Sequence, residues 1–327
     1  MFRTARQIFR LPVWAAFLLL AGPVWSQTAK PVELSTDSIA ATINGSSLVY
    51  VSDYFSFVGS DTQGRVAFAL DNNRGRDGNA YQAEHFLVLH DENAGWIPVQ
   101  GNGAYDNSRK ELIGIPDSRH FRFQGSTLTG LTIHGSSNAL TLKIHPIVPH
   151  TVKSDLGGSF WLGSAPAVLT WQGRTLVGRV IFEYFMKPDF NRLTRKYFGY
   201  WKDFHGLYLL AGRDADFYLH THRNEKGAEL NGNLLGFFSL PGETHVLAGL
   251  TVDVTAREQA LGFYRWPVAW SIHWQGKSGA GGATLRIYER NKIANWVMGG
   301  FSMGIVKGEV TLDGQTYQVY GLGELII

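Results

Sequence analysis

The chain contains no cysteine in 327 residues, so no disulfide can hold it and its fold rests on burial alone. Nor does it carry a usable excess of charge. The formal +3 comes from Arg3, Arg6 and Arg10 in the first 26 residues, and without them 27 basic residues face 27 acidic ones. A balanced surface gives no counterion-release drive toward nucleic acid and no steering toward anionic lipid. No long amphipathic helical pattern occurs. A Gly-x-Ser-x-Gly elbow and a Gly-rich phosphate loop between strand and helix are both missing, which removes the usual routes to serine hydrolysis and nucleotide binding.

What is present is turn chemistry and short apolar runs. The runs Leu48 to Val51, Arg65 to Leu70, Ala83 to Leu89, Leu128 to Ile133 and Ala139 to Ile144 are rich in β-branched and aromatic residues. Asp-Asn-Asn at 71, Asn-Gly at 102, Gly-Arg-Asp at 212 and Asp-Gly at 313 punctuate them, the pattern of antiparallel strands and hairpins. The fold class is therefore all-β, with short helices expected only around Pro188 to Lys196 and Thr255 to Gln259. Residues 1–26 read as an export signal: a basic start, an apolar stretch from Leu11 to Leu20, and Val24-Trp-Ser26 as the cleavage pattern. The apolar stretch is too short to span a bilayer comfortably. The reading predicts a periplasmic or secreted protein, a polar tether over 27–38, and no stable membrane span once the signal is removed.

The sequence also repeats itself. Phe68, Leu70, Arg74 and Gly78 return as Phe217, Leu219, Arg223 and Gly227, and Thr170, Gly173, Thr175 and Glu183 return as Thr311, Gly314, Thr316 and Glu324. Between them Thr141-Leu-Lys-Ile144 matches Thr284-Leu-Arg-Ile287. Matches in one order at a nearly constant offset are the mark of a unit used twice. The predicted units are residues 39–190 and 191–327, each an antiparallel barrel or sandwich, with a crevice between them as the place for a ligand.

Several of these stretches carry a resemblance. Asp53-Tyr54-Phe55 through Gly64-Arg65, Gly178 to Glu183, Tyr200-Trp201 through Gly212-Arg213, Pro267 to Trp270 and Gly321-Leu-Gly-Glu324 together resemble the double lipocalin-like proteins. That group includes carotenoid 1,2-hydratase, the attachment-protein relatives and lipocalin-like Diels-Alder cyclases. The resemblance implies two lipocalin-like (calycin-type) units and a pocket for an apolar small molecule such as a lipid, isoprenoid or polyketide. If the protein is an enzyme, it implies a cofactor-independent hydratase, cyclase or isomerase.

The candidate chemistry concentrates in the second unit. Where the first carries Ala69, Asp71 and Asn73, the second carries Tyr218, His220 and His222, larger groups of which two titrate near neutrality. Trp201, Asp203 and His205 are expected to converge with them, with Asp203, His205, His220 and His222 as acid-base groups. Tyr218, Trp266, Trp270, Glu84, His85 and Asp71 are expected to contact the ligand. His220 and His222 could ligate a metal with His85 or His205 and Glu84; a hydrogen-bonded histidine pair is favoured, and neither metal nor cofactor is expected. Glu183 and Glu324 each end a unit and are read as structural, with Arg74 and Arg223 as partners, against a general-acid role. Trp266, Trp270 and Trp274 form either a stacking wall or part of a core. The rival reading is a periplasmic glycan-binding or glycan-cleaving β-sandwich, which would use such a wall beside a carboxylate pair.

Overall fold

The computed structural model describes residues 47–98, 103–104, 120–135, 139–155, 158–189, 204–222, 233–259, 265–276, 279–296 and 299–326. The signal and tether, Trp201, Asp203 and Arg223 lie outside the described residues, as does the side chain of His222.

Every described element is a strand. The first sheet uses β1 Leu48–Asp61, β2 Gly64–Asp77, β3 Ala80–Asp91, β4 Gly95–Ile97, β5 Gly103–Ala104, β6 Phe121–Ser126, β7 Gly130–Gly135, β8 Leu140–Ile144, β9 Val148–Asp155, β10 Gly158–Trp171 and β11 Arg174–Pro188. The second uses β12 Phe204–Ala211, β13 Ala215–His222, β14 Asn233–Leu240, β15 Glu243–Val246, β16 Thr251–Gln259, β17 Arg265–Gly276, β18 Gly279–Trp296, β19 Gly299–Leu312 and β20 Gln315–Ile326. Their orders are β4-β3-β2-β1-β11-β10-β8-β7-β6, with β5 on β3 and β9 on β10, and β15-β14-β13-β12-β20-β19-β18-β17-β16. Apart from the two-residue β5, which has no counterpart, the two match strand for strand once β8 and β9, which line successive stretches of β10, are taken as the counterpart of the single long β18. In each sheet the first strand pairs with the last, so an up-and-down run curls back on itself.

One of the sequence echoes has a local cause. Gln172-Gly173 and Asp313-Gly314 are both at positive φ (49° and 79°, 48° and 82°), the type I′ geometry whose twist suits a two-residue hairpin. They join β10 to β11 and β19 to β20 with Thr170 opposite Thr175 and Thr311 opposite Thr316. The third echo is displaced. Thr141 faces Thr170 across β8 and β10, whereas Thr284 faces Glu309 rather than Thr311. The Thr-Leu-Lys-Ile and Thr-Leu-Arg-Ile segments thus keep the same faces but sit two residues out of structural register. Thr255 to Gln259 is not a helix: it is the exposed half of edge strand β16, paired to β17 through two register shifts. Pairing with a long neighbour outweighs the helix preference of Ala-Arg-Glu-Gln.

Burial explains the composition of the central strands. β1 is buried at twelve successive positions, from Leu48 to Gly59, because both of its faces are covered. Odd residues of β1 (Val49, Val51, Phe55, Phe57) join the first sheet's own core with Leu70, Leu142, Trp161 and Phe182. Even residues Tyr54 and Val58 join a second layer with Ala67, Ala69, Ile181, Tyr208, Tyr218, Phe237, Met303 and Leu322, drawn from both sheets. The second sheet encloses its own core, including Leu207, Phe217, Trp266, Trp270 and Val306. The molecule is two curled sheets, each wrapped around a core and packed face to face through a third.

Candidate functional site

The face shared by the two sheets carries an unusual polar group at its centre. On the first sheet Tyr54 lies between Glu183 on β11 and Asp71 on β2, so the three form one row on the shared face. The equivalent row of the second sheet is Glu324, Gly206 and His220. One step along β12 and β13, Tyr208 and Tyr218 lie opposite each other and reach across to the first sheet. Tyr218 Oη donates to Glu183 Oε2 at 2.5 Å and Tyr208 Oη to the same oxygen at 3.1 Å. Glu183 is 8 % exposed, and both tyrosines are fully buried.

Hydrogen positions follow from this arrangement. Burial first, and then the neighbouring Glu183, raise the pKa of Tyr208 and Tyr218 well above 10, so both phenols keep their protons and donate. Tyr218 Oη is also 3.2 Å from His220 Nδ1. Since the phenol proton is committed to Glu183, Nδ1–H of His220 is the donor, and in a neutral ring Nε2 would then be the basic nitrogen. A continuous chain therefore runs from His220 through Tyr218 to Glu183, crossing from one sheet to the other. Tyr54 stacks on Tyr208 with ring centroids 4.6 Å apart. Its hydroxyl has no hydrogen-bond partner, and burial with Glu324, Asp71 and Glu183 nearby raises its pKa well above 10. Ser52 Oγ donates to Asp71 Oδ1 at 2.6 Å, and Tyr50 to Asn73, extending the polar strip along the same face.

The expected cluster is thus only partly assembled. Tyr218 and His220 meet on the shared face and Asp71 lies on the same face of the first sheet, but His205 does not join them. It pairs with Thr221, not His220, so strand alternation turns it into the second sheet's core, where Trp270 Nε1 donates to its Nδ1 at 3.3 Å. Glu84 lies on the shared-face side of β3, whereas His85 points into the first core against the edge of Phe121. The proposed metal set of His220 with His85 or His205 is excluded by the same alternation, because those histidines occupy three different layers. Trp266 and Trp270, with Trp274, are at most 2 % exposed and pack in the second core, so they form no open stacking wall. Arg74 does pair with a carboxylate, but with Asp53 inside the first core rather than with Glu183 on the opposite face.

Tyr54 and Tyr208 were not among the expected site residues. The Asp61-Thr-Gln-Gly64 hairpin places Tyr54 opposite Asp71, a pairing a correctly located turn would have supplied. The approach of Tyr208 to Glu183 depends on sheet packing, which leaves no local trace.

The interface is closed at both sides by further cross-sheet contacts. On one side Arg179 pairs with Asp216 at 2.7 Å and Thr244 Oγ1 meets His150 Nδ1 at 3.0 Å, while His150 Nε2 is held within the first sheet by Ser164 Oγ at 2.7 Å. On the other, His90 contacts Glu289 at 2.9 Å and Tyr320 Oη at 3.3 Å.

No protein-family model matches the chain, and no curated protein matches it in sequence. Solved structures do resemble it. Kievitone hydratase from Nectria haematococca aligns over 84 % of this chain and 88 % of its own, with a TM-score of 0.57 and 12 % identity. An AttH-type protein from Nitrosomonas europaea covers 91 % and 98 %, at 0.58 and 11 %. CghA covers 85 % and 88 %, at 0.56 and 10 %. The architecture is the double lipocalin-like fold that the sequence motifs resemble.

Proposed function

We propose that the protein binds an apolar small molecule at the face shared by its two sheets and acts on it by acid-base chemistry without a cofactor, as a hydratase, cyclase or isomerase. The observation that carries this reading is the chain from His220 through Tyr218 to Glu183 in a buried layer. A neutral imidazole whose far nitrogen is fixed by a chain ending in a carboxyl is poised to take a proton at Nε2. Hydration, cyclisation and isomerisation share such a step: a proton leaves carbon or an attacking water, and is returned elsewhere with no net change in electrons. The unpaired Tyr54 hydroxyl would donate to the substrate oxygen on which charge develops. Two structural neighbours support the class of ligand, one being named a hydratase and another having been crystallised with the small molecule Sch210972.

In this reading His220 is the catalytic base, and Tyr218 and Glu183 position it. The signal over 1–26 would place the activity outside the cytoplasm, with the mature chain starting at Gln27 by intact-mass measurement. Protein purified from its own host and extracted with organic solvent is expected to release a lipid, isoprenoid or polyketide visible by mass spectrometry. On that compound His220→Ala should lower kcat by about a hundredfold or more. Glu183→Gln should lower kcat with KM little changed and move the acidic limb of the pH profile downward, because the protonated imidazole loses its distant carboxylate. Protein that releases nothing and is retained on a polysaccharide column would overturn the reading in favour of a glycan-binding sandwich.

A further inference from the structure

The inner face of the first sheet holds polar groups that the shared-face chemistry does not use. One row crosses five neighbouring strands: Trp161 on β10, Tyr184 on β11, Asp53 on β1, Asn72 on β2 and His85 on β3. All five are at most 4 % exposed. Asp53 is joined to Arg74, which is itself 1 % exposed, and burial pushes the Asp53 carboxyl up against the pull of that guanidinium. Three donors in the row have no hydrogen-bond partner: Trp161 Nε1, Tyr184 Oη and Asn72 Nδ2. One orphaned buried donor is a common defect; three in one row of one core are not, since each gives up its hydration without return. In the equivalent row of the second sheet, the counterparts of Trp161, Tyr184, Asp53 and Asn72 are Ser302, Leu325, His205 and Thr221, and of these Ser302 donates to Asn291 O at 3.1 Å while His205 accepts from Trp270; the second core's own orphaned donors, Trp266 Nε1 and Trp274 Nε1, lie outside that row.

We propose that this row is a second binding site, separate from the shared face, for a neutral apolar molecule bearing carbonyl or ether oxygens. The unpaired groups are all donors, so the occupant must supply acceptors. The one buried cation is answered by Asp53, so the occupant needs no charge. The rest of the wall is Val51, Phe55, Leu70, Phe182 and Leu87, which suits a hydrocarbon body.

The test uses the full chain and prodan, a neutral naphthalene probe with a single ketone oxygen, titrated by fluorescence. Wild type should bind it, and Tyr184→Phe and Asn72→Leu should each weaken binding about tenfold or more, while Tyr54→Phe on the shared face stays within twofold. Tyr184→Phe removes one oxygen and keeps the ring, so it carries the test even if Asn72→Leu fails to fold by circular dichroism. Absence of binding would overturn the site. So would unchanged affinity in Tyr184→Phe, which would mean that buried water alone serves the three donors, or an equal loss in Tyr54→Phe, which would place the probe on the shared face. None of these outcomes depends on turnover, so this site and the shared-face chemistry can fail separately.

Discussion

The two sheets have one topology and two chemistries. At the row where first and last strands meet, the shared face carries Glu183, Tyr54 and Asp71 in the first sheet and Glu324, Gly206 and His220 in the second. On the inner faces, Tyr184, Asp53 and Asn72 answer to Leu325, His205 and Thr221. Both rows carry a carboxyl at the same place, while the residues beside it differ. The lesson is that the two sheets complete one polar network. His220 is in the second sheet, the carboxyl at the far end of its hydrogen-bond chain is in the first, and neither sheet contains the chain from His220 to Glu183 by itself.

The sharpest way to break this comparison is at the paired inner positions. Arg74→Met leaves Asp53 buried without its cation and should destabilise the protein by about 3 to 5 kcal/mol in urea unfolding. Its second-sheet counterpart is the equivalent of Asp53 itself: His205→Leu removes the acceptor of Trp270 Nε1 and should cost about 1 to 3 kcal/mol. Equal losses would mean that the first core's charge pair is no more demanding than the second core's neutral contact.

What the sequence made legible was whatever a turn or an alternation sets locally. The two type I′ hairpins can be read from Gln172-Gly173 and Asp313-Gly314, and the correspondence of Asp71 with His220 follows from matched hairpins. Reading His205 into the same site failed for a local reason as well: a one-residue difference in pairing puts it beside Thr221 and on the opposite face. The recurrence of Glu183 as Glu324 points to a structural role, yet recurrence describes one sheet at a time. Its two tyrosine donors come from residues 25 and 35 positions onward in another sheet, through packing that no pattern in either strand encodes. The role of Trp266 and Trp270 was open from sequence because a core and a stacking wall need the same residues; only the curl of the sheet decides which one they form.

A second test addresses the edge where the sheets meet. His150 of the first sheet bonds Ser164 and Thr244, and burial, with Arg179 nearby, lowers its pKa from 6.5 to about 4. Asp216, paired with Arg179, is an acidic group on that side, with Asp214 close to it. Because the folded ring resists a proton that the unfolded ring takes up below pH 6.5, stability is full above 6.5 and falls as the pH drops toward 4. The loss should reach about 3 kcal/mol by pH 4, the energy of the shift. In His150→Gln the slope of unfolding free energy over this interval should flatten, measured by urea titration at half-unit steps. An unchanged slope would assign the acid sensitivity to other groups and leave this edge without a titrating contact.

The finest distinction lies between the two tyrosines that reach Glu183. Tyr218 makes the shorter bond, 2.5 Å against 3.1 Å, and also receives His220, whereas Tyr208 stacks on Tyr54. Removing the Tyr208 hydroxyl leaves Glu183 Oε2 with its stronger donor and should cost about 0.5 kcal/mol. Removing that of Tyr218 leaves His220 Nδ1–H without its acceptor as well, and should cost about 1 to 2 kcal/mol. The pair Tyr208→Phe and Tyr218→Phe, compared with the double variant by urea unfolding, separates the two contributions. The double variant should lose more than the sum, since Glu183 Oε2 is then stripped of both phenols that cross from the second sheet. Strict additivity would show that the carboxyl finds another partner when either phenol is lost, and that the two sheets are held together without it.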